Sequence, residues 1–269
     1  MKILAVDYDG VIGDSALKSL FISHNAYCRY FGSRVKSNFG GKLFTFDNWE
    51  EMKRKYKREM DYYRQLRSYV EFSSDFFVII KIIEEQIQIN NQQEFIDYRN
   101  QLKFDYQFFQ AKFFEERDRW QKKDFEKWFS LSPVFKRVVQ GIQKFLREGQ
   151  KVVIATSNRR ESIYPEFQPK YIGFTITLKD IFDKDFGQHK SEHMQAIAKR
   201  YGAKLNELYF VDDQLSYLMG TNVLGVNVFL AGWGYCTEKH KEEAKKEGIT
   251  VIEREKDFYP VLRRFLDKS

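Results

Sequence analysis

Five short, mostly apolar runs, rich in β-branched residues, set the limits on what this chain can become. They are Ile3–Val6, Val152–Ala155, Leu208–Val211, Val226–Leu230 and Ile249–Ile252. Runs of this length and texture predict strands covered on both faces. Helical patterns over Phe135–Arg147 and His193–Tyr201 precede the second and third runs. Alternation of this kind predicts an α/β fold, a doubly wound and mostly parallel sheet. Ligands bind such sheets at the carboxyl ends of the strands, so the residues after each run are the ones to read for chemistry.

Between the first and second runs the chain changes character. Residues 15–131 show almost no strand-like alternation, contain no proline and carry helical apolar spacing, as in Met52, Tyr56, Met60 and Tyr63. A stretch of this length is no ordinary crossover, and it predicts an all-helical insert. Pro133 marks the return to the core. The expected division is therefore a core of residues 1–14 and 132–269 with a helical domain of residues 15–131. This insert holds 27 of the 46 aromatic residues, so the high aromatic content of the chain belongs to it.

The formal charge of +7 and the pI near 9.1 raise the question of nucleic acid. The excess is spread evenly, however: 21 basic against 17 acidic residues in the insert, and 24 against 21 elsewhere. The densest cluster, Lys53-Arg54-Lys55 with Lys57-Arg58, is flanked by Glu50, Glu51 and Glu59 and reads as a solvated helix face. A nucleic-acid partner is not expected. The two cysteines, Cys28 and Cys236, form no disulfide framework and lack metal-ligand spacing. The opening apolar run is too short for a signal peptide, and Phe76–Ile80 is far below spanning length. The expectation is a cytoplasmic protein with no membrane partner.

Directly after the first run stand Asp7-Tyr8-Asp9-Gly10-Val11. Two carboxylates at i and i+2 off a strand end suit a hard cation such as Mg²⁺, and an aspartate there can act as a nucleophile. The alternative is an acidic turn, which the functional reading outweighs. After the second run, Thr156-Ser157-Asn158 offers a hydroxyl and free amides, as a phosphate holder or as a plain helix cap. After the third, Asp212-Asp213 is a further acidic pair, and Lys190 opens a predicted helix between the two.

Taken together, this order resembles the haloacid dehalogenase superfamily, in particular its phosphoglycolate phosphatase-like branch with a helical cap inserted after the first motif. Asp7 through Ser15 is similar to the DFDGxxxDS opening of that branch, His24 to Tyr27 with Phe31-Gly32 to its first cap helix, and Gly232 to Tyr235 to a segment after the fourth motif. The chain departs from the pattern at Ser191, where proline usually follows the lysine, and at Tyr217, where many members carry aspartate. Pro165 and Pro169 make the stretch after the second run irregular.

The resemblance implies an Mg²⁺-dependent phosphatase acting on a small phosphorylated metabolite through an aspartyl-phosphate. Asp7 would be the nucleophile and Asp9 the general acid and base. Asp7, Asp9 (through its carbonyl), Asp213 and, nearby, Asp212 would hold the metal. Thr156, Ser157, Lys190 and Gly10 would hold the phosphate, and Lys42 of the cap would reach the substrate. Asp9 favours expulsion of an alkoxide, which needs a proton, over expulsion of a halide, which does not. A phosphosugar mutase shares the same four motifs, and a silent phosphate-binding protein is the reading from another class. Either a monomer or a homodimer is compatible with the sequence. His189 and His193 stand four apart but lack a third ligand, and they read as ordinary surface histidines.

Overall fold

The computed structural model describes residues 1–31 and 39–267; Gly32, the last residue compared with the cap helix above, lies outside them. The chain divides into two compact units, Met1–Asp14 with Pro133–Ser269, and Ser15–Ser132.

The first unit is built on six parallel strands: β1 (Ile3–Val6), β2 (Lys151–Ala155), β3 (Ile181–Phe182), β4 (Leu208–Asp212), β5 (Asn227–Ala231) and β6 (Thr250–Ile252). Their order is β3-β2-β1-β4-β5-β6, so β1 lies between β2 and β4 and the strand order reverses beside it. All four residues of β1 are fully buried, as an all-parallel sheet covered on both faces requires. One face packs an apolar cluster including Val138, Ile142, Phe145, Phe258 and Leu262. The other packs Met194, Ile197, Leu215, Leu218 and Ala244.

Two differences from the sequence reading concern the run after β2. The strand β3 was not anticipated, because two residues carry no periodicity. The helical pattern read over His193–Tyr201 extends three residues further towards the N-terminus, to Lys190, and the Glu192 carboxylate accepts from the His189 amide at 2.9 Å to cap it.

The second unit is all-helical among the described residues: α1 (Ala16–Phe31), α2 (Trp49–Lys55), α3 (Lys57–Leu66), α4 (Asp75–Glu85), α5 (Gln92–Gln101), α6 (Tyr106–Lys123) and α7 (Phe125–Ser130), with a short 3-10 turn after α3. Helix α1 packs against α3, α4 and α6 and is buried almost all round through Tyr27. Its buried polar groups are satisfied locally. Asn25 Nδ2 donates to Phe44 O at 2.8 Å, and Phe44 N donates to Asn25 Oδ1 at 2.8 Å, so one side chain imitates a backbone partner for the loop before α2. Fifteen of this unit's aromatic residues are buried, among them Phe21, Phe44, Tyr63, Phe95, Phe109 and Trp128. The aromatic excess is mainly core.

His24 makes that core sensitive to acid. Its ring packs on Phe44 at 4.2 Å and donates from Nε2 to Lys42 O at 2.9 Å. Burial drives its pKa down to about 4, against the pull of that hydrogen bond. An unfolded histidine takes up its proton near pH 6.5. The folded state is therefore favoured fully above that pH and loses about 3 kcal/mol as the pH falls to about 4. In His24→Phe, which keeps a ring but cannot titrate, urea unfolding between pH 6.5 and 4 should show a shallower loss of stability than wild type. Equal slopes would contradict the assignment.

Around the sheet of the first unit lie α8 (Lys136–Arg147) and, after β2, the four-residue α9 (Arg160–Ile163) and α10 (Lys190–Tyr201). Beyond β4 come α11 (Leu215–Asn222), α12 (Glu238–Lys246) and the closing α13 (Phe258–Asp267). None of the helices among the described residues is long and apolar enough to cross a membrane.

Candidate active site

Each strand at the reversal ends in, or runs directly into, a polar residue. β1 runs into Asp7, whose amide extends the ladder by donating to Val211 O at 2.9 Å. β2 runs into Thr156, and β4 ends at Asp212. Parallel strands in register bring these ends to one edge of the sheet, where α10 adds Lys190 as its first residue.

Lys190 is 2% exposed, not a surface lysine. Its Nζ donates to Asp7 Oδ1 and to Ala155 O, both at 2.6 Å, and lies 3.5 Å from Asp212 Oδ2. The rings of Phe210 and Tyr217 stand 5.8 and 5.6 Å from the same nitrogen. Burial alone would lower the lysine pKa, but Asp7 and Asp212 more than offset this and raise it, keeping the ammonium charged. Burial pushes Asp7 well above the usual carboxylate range, with Lys190 opposing and Asp212 and Asp9 adding to the rise. Asp212 is raised for the same reasons, with Asp213 as its acidic neighbour. More negative charge is gathered here than one lysine compensates.

Asp7, Asp212 and Asp213 offer carboxylate oxygens that all lie within 4.8 Å of one another, and all three residues are buried. Asp212 Oδ1 accepts from Gln214 N at 2.9 Å, while its buried Oδ2 has no hydrogen bond. The Lys190 ammonium 3.5 Å away faces it, but that cation is shared with Asp7. Three buried carboxylates with a single lysine to offset them are a set of hard oxygen donors that fits a divalent cation such as Mg²⁺. No other group of three histidine, cysteine or acidic side chains suited to a metal occurs among the described residues. His193 corrects the surface reading: it is buried, held through Nε2 by Gly187 O at 3.1 Å, with its pKa lowered to about 4 chiefly by burial.

Two glycines make room for Asp213. Gly10 adopts φ +79°, and a Cβ on it would collide with the Asp213 carboxylate; a Cβ on Gly234 would collide with Asp213 Cβ and Gly10 O. Tyr235 N then donates to Asp213 Oδ2 at 2.7 Å. The sequence reading places Gly10 among the phosphate holders; in the structure its amide donates to Gly13 O at 2.9 Å, and its lack of a Cβ leaves room for Asp213. Gly234→Ala should displace Asp213 and weaken any divalent-cation binding by roughly tenfold, read by calorimetric titration with Mg²⁺ as the probe. Unchanged affinity would show that the fit at Gly234 does not set the position of Asp213.

Asn158 was not singled out from the sequence, yet its Nδ2 donates to Asp9 Oδ2. Its amide also donates to Thr156 Oγ1 at 3.1 Å, so the turn after β2 holds both Thr156 and Asp9. Tyr217, read only as a departure, has its hydroxyl on Ser157, and burial pushes its pKa up to about 12. Ser157 itself is exposed. Lys42 lies in the helical unit, exposed, with its carbonyl taken by His24.

A family model of haloacid dehalogenase-like hydrolases matches residues 1–216. The chain belongs to this family. No curated protein matches the sequence. Solved structures of other haloacid dehalogenase-like proteins share the fold at low identity. A hydrolase from Pseudomonas syringae is 14% identical over 98% of this chain and 99% of its own, with a TM-score of 0.58. A predicted phosphoglycolate phosphatase from Haemophilus somnus is 14% identical, covering 97% and 98%, with a TM-score of 0.57. A candidate β-phosphoglucomutase from Thermotoga maritima is 16% identical, covering 98% and 99%, with a TM-score of 0.55. At these identities the likeness concerns the fold of a haloacid dehalogenase-like hydrolase.

Proposed function

We propose that this hydrolase is an Mg²⁺-dependent phosphatase that cleaves a small phosphorylated metabolite through an aspartyl-phosphate on Asp7. The observation that carries the reading is the buried Asp7 carboxylate, bonded to the Lys190 ammonium beside the Asp212-Asp213 pair.

An Asp7 oxygen attacks phosphorus as the bond to the leaving oxygen breaks. Asp9 delivers a proton to that oxygen, so the product leaves as an alcohol. With Oδ2 of Asp9 held by Asn158, its other oxygen is the one to carry the proton. Asp9, now ionised, takes a proton from the water that attacks the phosphoryl group, and Asp7 is released with inorganic phosphate. Lys190, the Thr156 hydroxyl and the Ser157 amide stabilise charge on the equatorial oxygens. Mg²⁺ held by Asp7, the Asp9 carbonyl and Asp213, with Asp212 close by, would offset the repulsion between nucleophile and phosphate. The helical unit serves as the cap that selects the substrate and excludes water.

The test is a screen of phosphorylated metabolites with Mg²⁺, reading free phosphate. Release from one or a few small esters supports the proposal. Isomerised product that retains its phosphate would assign a mutase instead, and no turnover across the panel would count against phosphatase chemistry.

A further inference from the structure

Tyr8 separates the two aspartates of the first motif in sequence, and its surroundings differ from theirs. Its ring is 2% exposed and joins the apolar cluster on one face of the sheet, edge-on to Phe167 at 5.8 Å and 71°. Its hydroxyl donates to Oε2 of Glu166, which is fully buried. Glu166 ends the 3-10 turn Tyr164–Glu166, which follows the four-residue α9 and contains Pro165. The irregularity caused by Pro165 thus coincides with the delivery of a carboxyl group beneath the first motif.

The backbone of Tyr8 is engaged as well. Its carbonyl accepts from Ile12 N at 2.9 Å and Gly13 N at 3.0 Å, while Gly10 N donates to Gly13 O at 2.9 Å. The loop carrying Asp7 and Asp9 therefore closes on Tyr8, and the Tyr8 side chain is anchored in the core by Glu166. Two apolar side chains would fill the same volume without burying a carboxyl group, so cohesion alone does not call for this pair.

We propose that Tyr8 and Glu166 are positioning residues that lock the Asp7–Asp9 loop in the geometry used for phosphoryl transfer. This rests on the phosphatase reading above. Neither residue touches the substrate. Their effect is on the orientation of Asp7 and Asp9, where small displacements of reacting groups are expensive.

The test uses the full chain with Mg²⁺ and p-nitrophenyl phosphate. Tyr8→Phe keeps the ring and removes the hydroxyl, Glu166→Leu removes the acceptor, and Glu166→Gln keeps an acceptor oxygen. Tyr8→Phe and Glu166→Leu should lower kcat about tenfold with KM within about twofold of wild type, and Glu166→Gln should restore kcat to near the wild-type value. Hydrogen–deuterium exchange over residues 7–14 should speed up in the first two and not in the third, a readout that does not need turnover. If a variant fails to fold, the remaining acceptor-removing variant is compared with Glu166→Gln in the same way. Wild-type kcat per folded molecule in Tyr8→Phe or Glu166→Leu, or unchanged exchange over the loop, would overturn the proposal. Wild-type turnover and its loss in Asp7→Asn report separately on the phosphatase reading.

Discussion

An Asp7→Asn variant is expected to turn over phosphate esters at least about 10³-fold more slowly than wild type, because an amide oxygen is a poor nucleophile for phosphorus. The loss should appear in kcat with the fold intact, as judged by circular dichroism. It should not be recovered by raising Mg²⁺, since the missing group is the one that bonds to phosphorus. The contrast is with a merely electrostatic role, where substitution would chiefly shift the metal requirement. Steady-state assays across a range of Mg²⁺ concentrations distinguish the two. Residual activity within about tenfold of wild type would remove Asp7 from the nucleophile's role.

Lys190→Met should produce the second large effect, on both stability and rate. Removing one partner of a buried charge cluster typically costs 3–5 kcal/mol, on the order of what leaves a carboxylate uncompensated. Here two carboxylates, those of Asp7 and Asp212, lose their shared cation. Burial already raises both pKa values, and without the lysine they rise further. The sign of the pH dependence follows. A carboxyl raised above its unfolded value favours the folded state at low pH, and that advantage is lost as the pH rises toward the folded value. The melting temperature of metal-free Lys190→Met should therefore fall furthest below wild type at pH 8 and least at pH 5. A deficit independent of pH would contradict the account. In the rate, loss of the ammonium from the equatorial oxygens should lower kcat by about 10²-fold or more.

The α/β alternation of the core was legible because buried parallel strands are continuous apolar runs, a pattern visible in a single sequence. The acidic pairs and Thr156 were legible because their places at strand ends follow from those runs. Lys190 was found through its place in the order of motifs; its burial could not be, since a lone lysine at a helix start carries no mark of what faces it. Asn158 lay within a quoted triplet, but its bond to Asp9 spans two strand ends and has no local signature. The same holds for Tyr8 and Glu166, which are 158 residues apart and meet only once the segment after β2 folds back. Gly10 was assigned from the motif to phosphate, whereas its φ and its contact with Asp213 depend on β4 and on Gly234. Local pattern thus revealed the strand ends, and the long-range polar contacts between them required coordinates.

The central claim is that the phosphoryl group passes through Asp7. A single-turnover reaction with Mg²⁺ and an accepted phosphate ester, quenched in acid and mapped by peptide mass spectrometry, tests it most directly. The account predicts one phosphoryl group on the peptide containing Asp7, formed before phosphate release and absent from Asp7→Asn. Phosphate release at the wild-type rate with no phosphoryl group ever found on Asp7 would contradict it.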